Sequence, residues 1–337
     1  MKEALFYQKL EGNDVRCALC NHRCLIRDGR RGICGVRENN GGILYSLVYE
    51  RCISQAIDPI EKKPLYHFHP GSSSFSIATA GCNFSCKHCQ NYSISQLVRD
   101  HGKIVGNDVS PYEIVKTAKK YQCSSISFTY TEPTVFYEYA SDIAVLAHQQ
   151  GLKNIFVTNG YITPEALRNI QPYLDGANVD LKSFSDTFYK KICGARLEPV
   201  LESLRLYKQL GIWLEITTLI IPTYNDSYEE LENIADFIFH LDANIPWHIS
   251  AYYPTYKLND PPRTSIQILR KAREIGLKAG LRYVYEGNVP GEIGANTYCY
   301  SCGNLLIERS GFTISRYKVK EGRCPDCQAK IDGVGLI

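Results

Sequence analysis

The sequence predicts an α/β protein: a parallel sheet with helices on its outer surface, forming an incomplete (β/α)6 barrel with a small cysteine-rich module at each end. Three observations predict this. Strand-like and helix-like stretches alternate about six times between residues 74 and 281. Of 14 cysteines, eleven fall into three groups, one before the barrel, one at its first strand and one after it. The chain has 337 residues, 44% hydrophobic and 22% charged, which suits one large domain with small appendages. The expected division is residues 1–70, 71–295 and 296–337.

The elements follow in order. Ser74–Ala80 (SFSIATA) reads as a strand running straight into the central cysteines. Ser110-Pro111-Tyr112-Glu113 has the Ser cap, first-position Pro and third-position Glu of a helix start, with Ile114, Ala118 and Tyr121 following at helical spacing. Ser125–Thr129 is the second strand, before a helix burying Val135, Tyr139, Ile143 and Leu146. Asn154–Thr158 is the third, and Thr163-Pro164-Glu165 opens the next helix. Ala177–Leu181 is the fourth, followed by a helix through Val200, Leu204 and Tyr207. Ile212–Ile221 is long, continuous and rich in β-branched residues, as in a strand buried on both faces. Ser227 and Glu230 are spaced as a capping box for a helix carrying Leu231, Ile234, Ile238 and Leu241. Trp247–Tyr253 and a helix with Ile268, Ala272 and Ile275 complete the alternation.

A net charge of +3 is too small to call for nucleic acid or a membrane surface. No apolar run reaches 18 residues, and the N-terminus lacks a signal peptide's apolar core, so the expected location is the cytoplasm. Cytoplasmic thiols stay reduced, so the cysteine groups read as metal ligands and not as disulfides.

Cys82, Cys86 and Cys89 are spaced C-x3-C-x2-C directly after the first strand, on the face where barrel active sites form. A cubane of four irons normally takes four thiolates, so three on one loop leave one iron open to a ligand. A zinc knuckle completed by His88 fits this spacing poorly.

This motif, on that strand of an incomplete barrel, resembles the signature of the radical S-adenosylmethionine (SAM) superfamily. The resemblance implies a [4Fe-4S] cluster whose open iron binds SAM, and reductive cleavage to methionine and a 5′-deoxyadenosyl radical that abstracts hydrogen. It also implies an electron donor such as flavodoxin or ferredoxin. His88 stands where the family usually has an aromatic residue. Ser127-Phe128-Thr129-Tyr130-Thr131-Glu132-Pro133 resembles the family's "GGEP" segment without its glycines, which implies SAM contacts from Glu132 and the backbone of Tyr130 and Thr131. A carboxylate at a helix N-terminus is the other reading of Glu132. Thr158-Asn159-Gly160 and Asp180-Leu181-Lys182 resemble strand ends of glycyl-radical-enzyme activases, implying cofactor contacts from Asn159, Asp180 and Lys182. Val157 replaces an Asp those activases often have. Lys182 is read as a partner for the SAM carboxylate or for Asp180, and His248 as a ligand contact or a hydrogen-bonded core residue.

A closer resemblance rests on residues 58–71 (DPIEKKPLYHFHPG), 246–250 (PWHIS) and 283–291 (YVYEGNVPG). These are similar to the radical SAM member of the AmmeMemoRadiSam system, a pyruvate formate-lyase activating enzyme-like subgroup. That resemblance implies AMMECR-like and Memo-like partners and leaves the substrate open.

Cys299-x2-Cys302 and Cys324-x2-Cys327 form two knuckles suited to one tetrahedral zinc or iron, zinc being favoured. Between them Leu305 and Ile307, a turn at Ser310-Gly311 and a return over Thr313–Val319 read as a hairpin. Cys17, Cys20, Cys24 and Cys34, with His22 to spare, suit zinc or an auxiliary cluster. The function expected is SAM-radical chemistry on a small molecule or protein. Glycyl-radical activation ranks second, and a non-catalytic zinc-ribbon binding protein is the outside alternative.

Overall fold

The computed structural model describes residues 1–289 and 293–336. Seven parallel strands form the body of a nine-stranded sheet: β1 Ser73–Thr79, β2 Ser125–Phe128, β3 Lys153–Thr158, β4 Gly176–Asp180, β5 Trp213–Ile220, β6 Trp247–Ala251 and β7 Val284–Gly287. They pair in sequence order. Six helices connect them: α1 Pro111–Lys120, α2 Tyr137–Gln149, α3 Pro164–Ile170, α4 Glu198–Gln209, α5 Tyr228–Asp242 and α6 Ile266–Lys278. The six expected strand–helix units are thus joined by a seventh strand. Its four residues include a glutamate, too short and too polar for a pattern to register. Pro290 and Gly291 of the motif ending there lie outside the described residues.

Beside β1, Arg51–Pro59 pairs antiparallel and is itself flanked by Asn107–Asp108. The expected module boundary at residue 70 therefore falls within the sheet. The strands are largely buried, six of the seven residues in β1, as expected of a parallel sheet covered by helices.

The helix starts are local chemistry. Ser110 and Glu113 form the full capping box, the side chain of each accepting from the other's backbone N–H. At α5 half the box forms. Ser227 caps Glu230, but the Glu230 carboxylate instead accepts from the Ser183 hydroxyl and Phe184 N–H in the loop after β4. Thr163, at the start of α3, makes no side-chain cap and donates its hydroxyl to the carbonyl of Ala18, tying the N-terminal module to the parallel sheet.

That module contains two small antiparallel sheets. Its Val15, Leu19, Ile26 and Val36 share one core with the barrel. Arg37, 2% exposed, pairs at 2.9 Å with equally buried Glu138 on α2. Removing one partner of such a pair costs about 3–5 kcal/mol, which fixes the module in place.

At the other end Leu305–Ser310 and Thr313–Tyr317 form the expected hairpin. Leu306 and Ile307 are both buried, a departure from simple alternation associated with a register shift at Glu308/Arg309. They pack with Tyr66, Tyr283 and Tyr285 in a second core that joins this ribbon to the barrel. No helix among the described residues is long and apolar enough to cross a membrane.

Candidate active site

Residues of five parallel strands, β3 to β7, and of the loops that follow β1 and β2 line one cavity of about 450 Å³. Flat strands about 4.8 Å apart would put β1 and β7 roughly 29 Å from each other, so the sheet must curl around the cavity. Its size suits a small-molecule ligand, for which cavities of about 300–1,000 Å³ are usual. A larger cleft of about 960 Å³ lies between α6, β7 and the ribbon, holds none of the central cysteines and is set aside on chemistry.

Cys82, Cys86 and Cys89 stand on the loop after β1, at the wall of this cavity. They are not drawn together as ligands of one ion would be: the described donor groups within 4.8 Å of one another do not include this triplet. A cubane gives each thiolate its own iron, so the wider spacing fits a cluster. Donors surround the sulfurs. Phe84 N–H donates to Cys82 Sγ at 3.4 Å, Asn159 Nδ2 lies 3.8 Å from it, and Ser95 Oγ lies 3.1 Å from Cys89 Sγ. Burial, with the Glu132 charge adding, pushes the Cys82 thiol well up, so an unliganded thiolate there is disfavoured.

Behind the loop lies Cys193, one of the three cysteines outside the groups. Cys193, fully buried, comes within 4.8 Å of Cys86 and His88. Its thiol hydrogen-bonds to Cys86 and holds the Cys86 pKa down. Its carbonyl accepts from Ser85 N–H, and that of Ile192 from Lys87 N–H, so the turn over 189–193 pins the cysteine loop. His88 is buried and neutral, its pKa pushed down to about 3 by burial and by Lys182.

Glu132 is fully buried. Its Oε1 accepts from Thr134 N–H, Thr134 Oγ1 and Thr158 Oγ1 at 3.0, 2.6 and 2.8 Å, and its Oε2 accepts from Asn159 N–H at 2.8 Å. It caps the 3-10 turn Pro133–Phe136 and also lines the cavity, so the helix-end reading holds for a residue that also faces the cavity. Burial raises its pKa against those four donors. Tyr130 has φ +63°, the left-handed conformation a family glycine would take without cost. Here its hydroxyl is held by Asp58, which also takes Lys62 at 2.8 Å and Lys63 at 2.6 Å. Burial pulls Lys63 down to about 8, against the pull of Asp58. The sequence reading matched this stretch as a motif without seeing that its charges brace the cavity wall.

Asn159 Nδ2 donates to Asn83 Oδ1 at 2.7 Å, linking the end of β3 to the cysteine loop. Lys182 pairs with Asp180 at 2.7 Å. Burial opposes its charge, but Asp180 and the thiols of Cys86 and Cys193 outweigh that and raise its pKa. His248 bonds Glu215 at 2.6 Å while also facing the cavity. Glu215 was not foreseen. It also accepts from the backbone N–H groups of Tyr66 and His67 and from Trp213 Nε1, and His248, with His67 and Tyr66, overcomes burial to lower its pKa. Two buried cavity-wall hydroxyls, Thr131 Oγ1 and Thr217 Oγ1, have no partner within the protein. Unsatisfied polar atoms of this kind fit a polar cofactor.

The C-terminal cysteines converge. Cys299 and Cys327 sulfurs are 3.5 Å apart, Cys302 and Cys324 3.7 Å, and all four lie within 4.8 Å of one another.

A curled parallel sheet with a cysteine triplet at the mouth defines a class, and comparison with known proteins gives the same one. Residues 76–238 match the model of the radical SAM superfamily, and the chain belongs to this superfamily of enzymes. It is 49% identical over 335 residues to an uncharacterized protein, MJ0808, of Methanocaldococcus jannaschii, covering 98% of this chain and 99% of that one. It is 23% identical to the pyruvate formate-lyase-activating enzyme of Clostridium pasteurianum, covering 61% of this chain and 89% of that one. Among solved structures, Streptococcus suis SuiB bound to S-adenosylmethionine shares the fold, with a TM-score of 0.52, 14% identity and coverage of 69% and 53% of the two chains. The superfamily implies a [4Fe-4S] cluster and SAM, and a reductant to drive them.

Proposed function

We propose that the protein reductively cleaves SAM at a [4Fe-4S] cluster held by Cys82, Cys86 and Cys89, producing a 5′-deoxyadenosyl radical that abstracts hydrogen from a substrate. The observation that carries this reading is the place of the three thiols, on the loop after β1 at the wall of a cavity lined by β3 to β7 and by the loops after β1 and β2. When bound, the cluster supplies one electron and an iron without a protein ligand. The chain's residues bind and orient the cofactor. Lys182, held by Asp180, offers a cation to the SAM carboxylate. Glu132 Oε2 has one donor in the structure and room for the SAM ammonium. Asn159, the backbone of Tyr130 and Thr131, and the Thr217 hydroxyl complete that wall, with His248 facing it from β6. The curled sheet is read as the family's partial barrel, and the C-terminal cysteines as a structural zinc site.

The electron comes from a low-potential carrier such as flavodoxin or ferredoxin. The three motif stretches support membership of the AmmeMemoRadiSam system, with AMMECR-like and Memo-like proteins as partners. A second reading, activation of a glycyl-radical enzyme, is favoured by the clostridial relative. Anaerobically reconstituted protein given SAM and dithionite should release 5′-deoxyadenosine. Changing Cys82, Cys86 and Cys89 together to Ala should abolish that while the circular dichroism stays folded; deoxyadenosine formation by this variant would overturn the assignment.

A further inference from the structure

The N-terminal cysteines have no part in the reading above. Cys17, Cys20, Cys24 and Cys34 all line one narrow cavity, closed by apolar side chains of their own module and by Val135 of the barrel. No three donors among these four and His22 lie within 4.8 Å of one another. A tetrahedral zinc with Zn–S bonds of about 2.3 Å holds its sulfurs roughly 3.8 Å apart. The C-terminal set has that spacing already, at 3.5 and 3.7 Å. The N-terminal set, like the Cys82 triplet, does not meet that spacing, as thiolates that each serve a different metal atom would not. His22 is committed elsewhere, its Nε2 bonded to the carbonyl of Asn83 at 2.9 Å.

A second observation comes from Arg37. It is 2% exposed and lines the same cavity. Its Nη1 bonds Glu138 and its Nη2 the carbonyl of Leu5, yet its Nε has no partner. A buried N–H donor left over beside four thiols suits an anionic cluster, whose sulfurs accept hydrogen bonds.

We propose that Cys17, Cys20, Cys24 and Cys34 hold a second [4Fe-4S] cluster, with Arg37 Nε–H as a donor to it. All four irons have a protein thiolate, so this site has no vacancy for SAM. It is the neighbour of the first. A Cβ on Gly81, the residue before Cys82, would lie 3.3 Å from the carbonyl oxygen of Cys34.

The test uses the full chain, reconstituted anaerobically with iron and sulfide. The parent should hold about eight irons, and the Cys82→Ala/Cys86→Ala/Cys89→Ala variant about four, with a reduced EPR signal that SAM does not move. Conversely, Cys20→Ser/Cys24→Ser should keep about four irons and a signal that SAM does move. Should that second variant fail to fold, Mössbauer counting of the parent and the triple variant decides alone. A triple variant that binds no iron, or an N-terminal site that takes one zinc instead, overturns the proposal. Failure of the SAM-cleaving function would look different: no deoxyadenosine, with the iron count intact.

Discussion

The N- and C-terminal modules each carry four cysteines, and the structure arranges them in opposite ways. The C-terminal thiols already converge on a point, two of them exposed, at the open end of a hairpin whose apolar residues rest on Tyr66, Tyr283 and Tyr285. Those at the N-terminus stand apart around a cavity inside a core shared with the barrel. Equal ligand counts therefore do not imply equal sites. Spacing between sulfurs separates a single ion from a cluster, and the core each module joins sets what metal loss would do. At the C-terminus that loss should be local; at the N-terminus it should reach α2 and the cysteine loop.

The largest expected effect tests the local half of this contrast. Cys324→Ser should release one equivalent of redox-inactive metal and unfold the ribbon, since structural zinc supplies roughly 10–16 kcal/mol of binding free energy. Hydrogen exchange should show residues 297–331 losing protection while β1–β6 keep theirs. Iron at that site cycling together with the SAM cluster would break the comparison.

Next in size is acid. His67 joins the C-terminal segment to the barrel, its Nδ1–H donating to the carbonyl of Asp332 and its Nε2 accepting from Tyr285 Oη. Burial lowers its pKa from 6.5 to about 4, so the folded state holds it neutral. The unfolded state then binds more protons between those values. Stability is complete above pH 6.5 and falls as pH drops toward 4, by at most about 3 kcal/mol. Thermal melts of parent and His67→Gln across that range should diverge above pH 6.5 and converge below it; a constant gap would remove His67 from this role.

Glu132→Gln probes the open site. It replaces a charged acceptor worth about 1.5–3 kcal/mol per hydrogen bond, so SAM affinity should fall roughly tenfold to a hundredfold with iron retained. Equilibrium binding checks this, and unchanged affinity would leave Glu132 as a helix cap alone. The smallest effect belongs to Tyr130→Phe. Asp58 loses one of its three donors but keeps both lysines, so unfolding free energy should drop by about 1 kcal/mol in denaturant melts.

What was legible in the sequence was local or periodic. Ser110 and Glu113 announced α1, the β-branched run of β5 announced a doubly covered strand, and the three close cysteines marked a loop at the cavity wall. Interactions between distant segments left no such trace. Glu215 collects Tyr66, His67 and His248 from other strands and loops, and Cys193 reaches Cys86 across 107 residues of chain. Glu230 had the spacing of a cap and was drawn to Ser183 instead. Each is decided by the closing of the sheet, which brings together residues that no window of sequence contains.

Phe312 sits beside the hairpin turn of the ribbon, yet lines the cavity at the strand ends. The ribbon is thus part of the enclosure around the reaction space as well as an appendage. If the C-terminal cysteines hold a metal and the cavity holds the proposed radical, a chain starved of that metal would keep its parallel sheet but lose one wall, admitting solvent beside the radical. Metal supply to the tail would then govern the fidelity of the chemistry and not its existence.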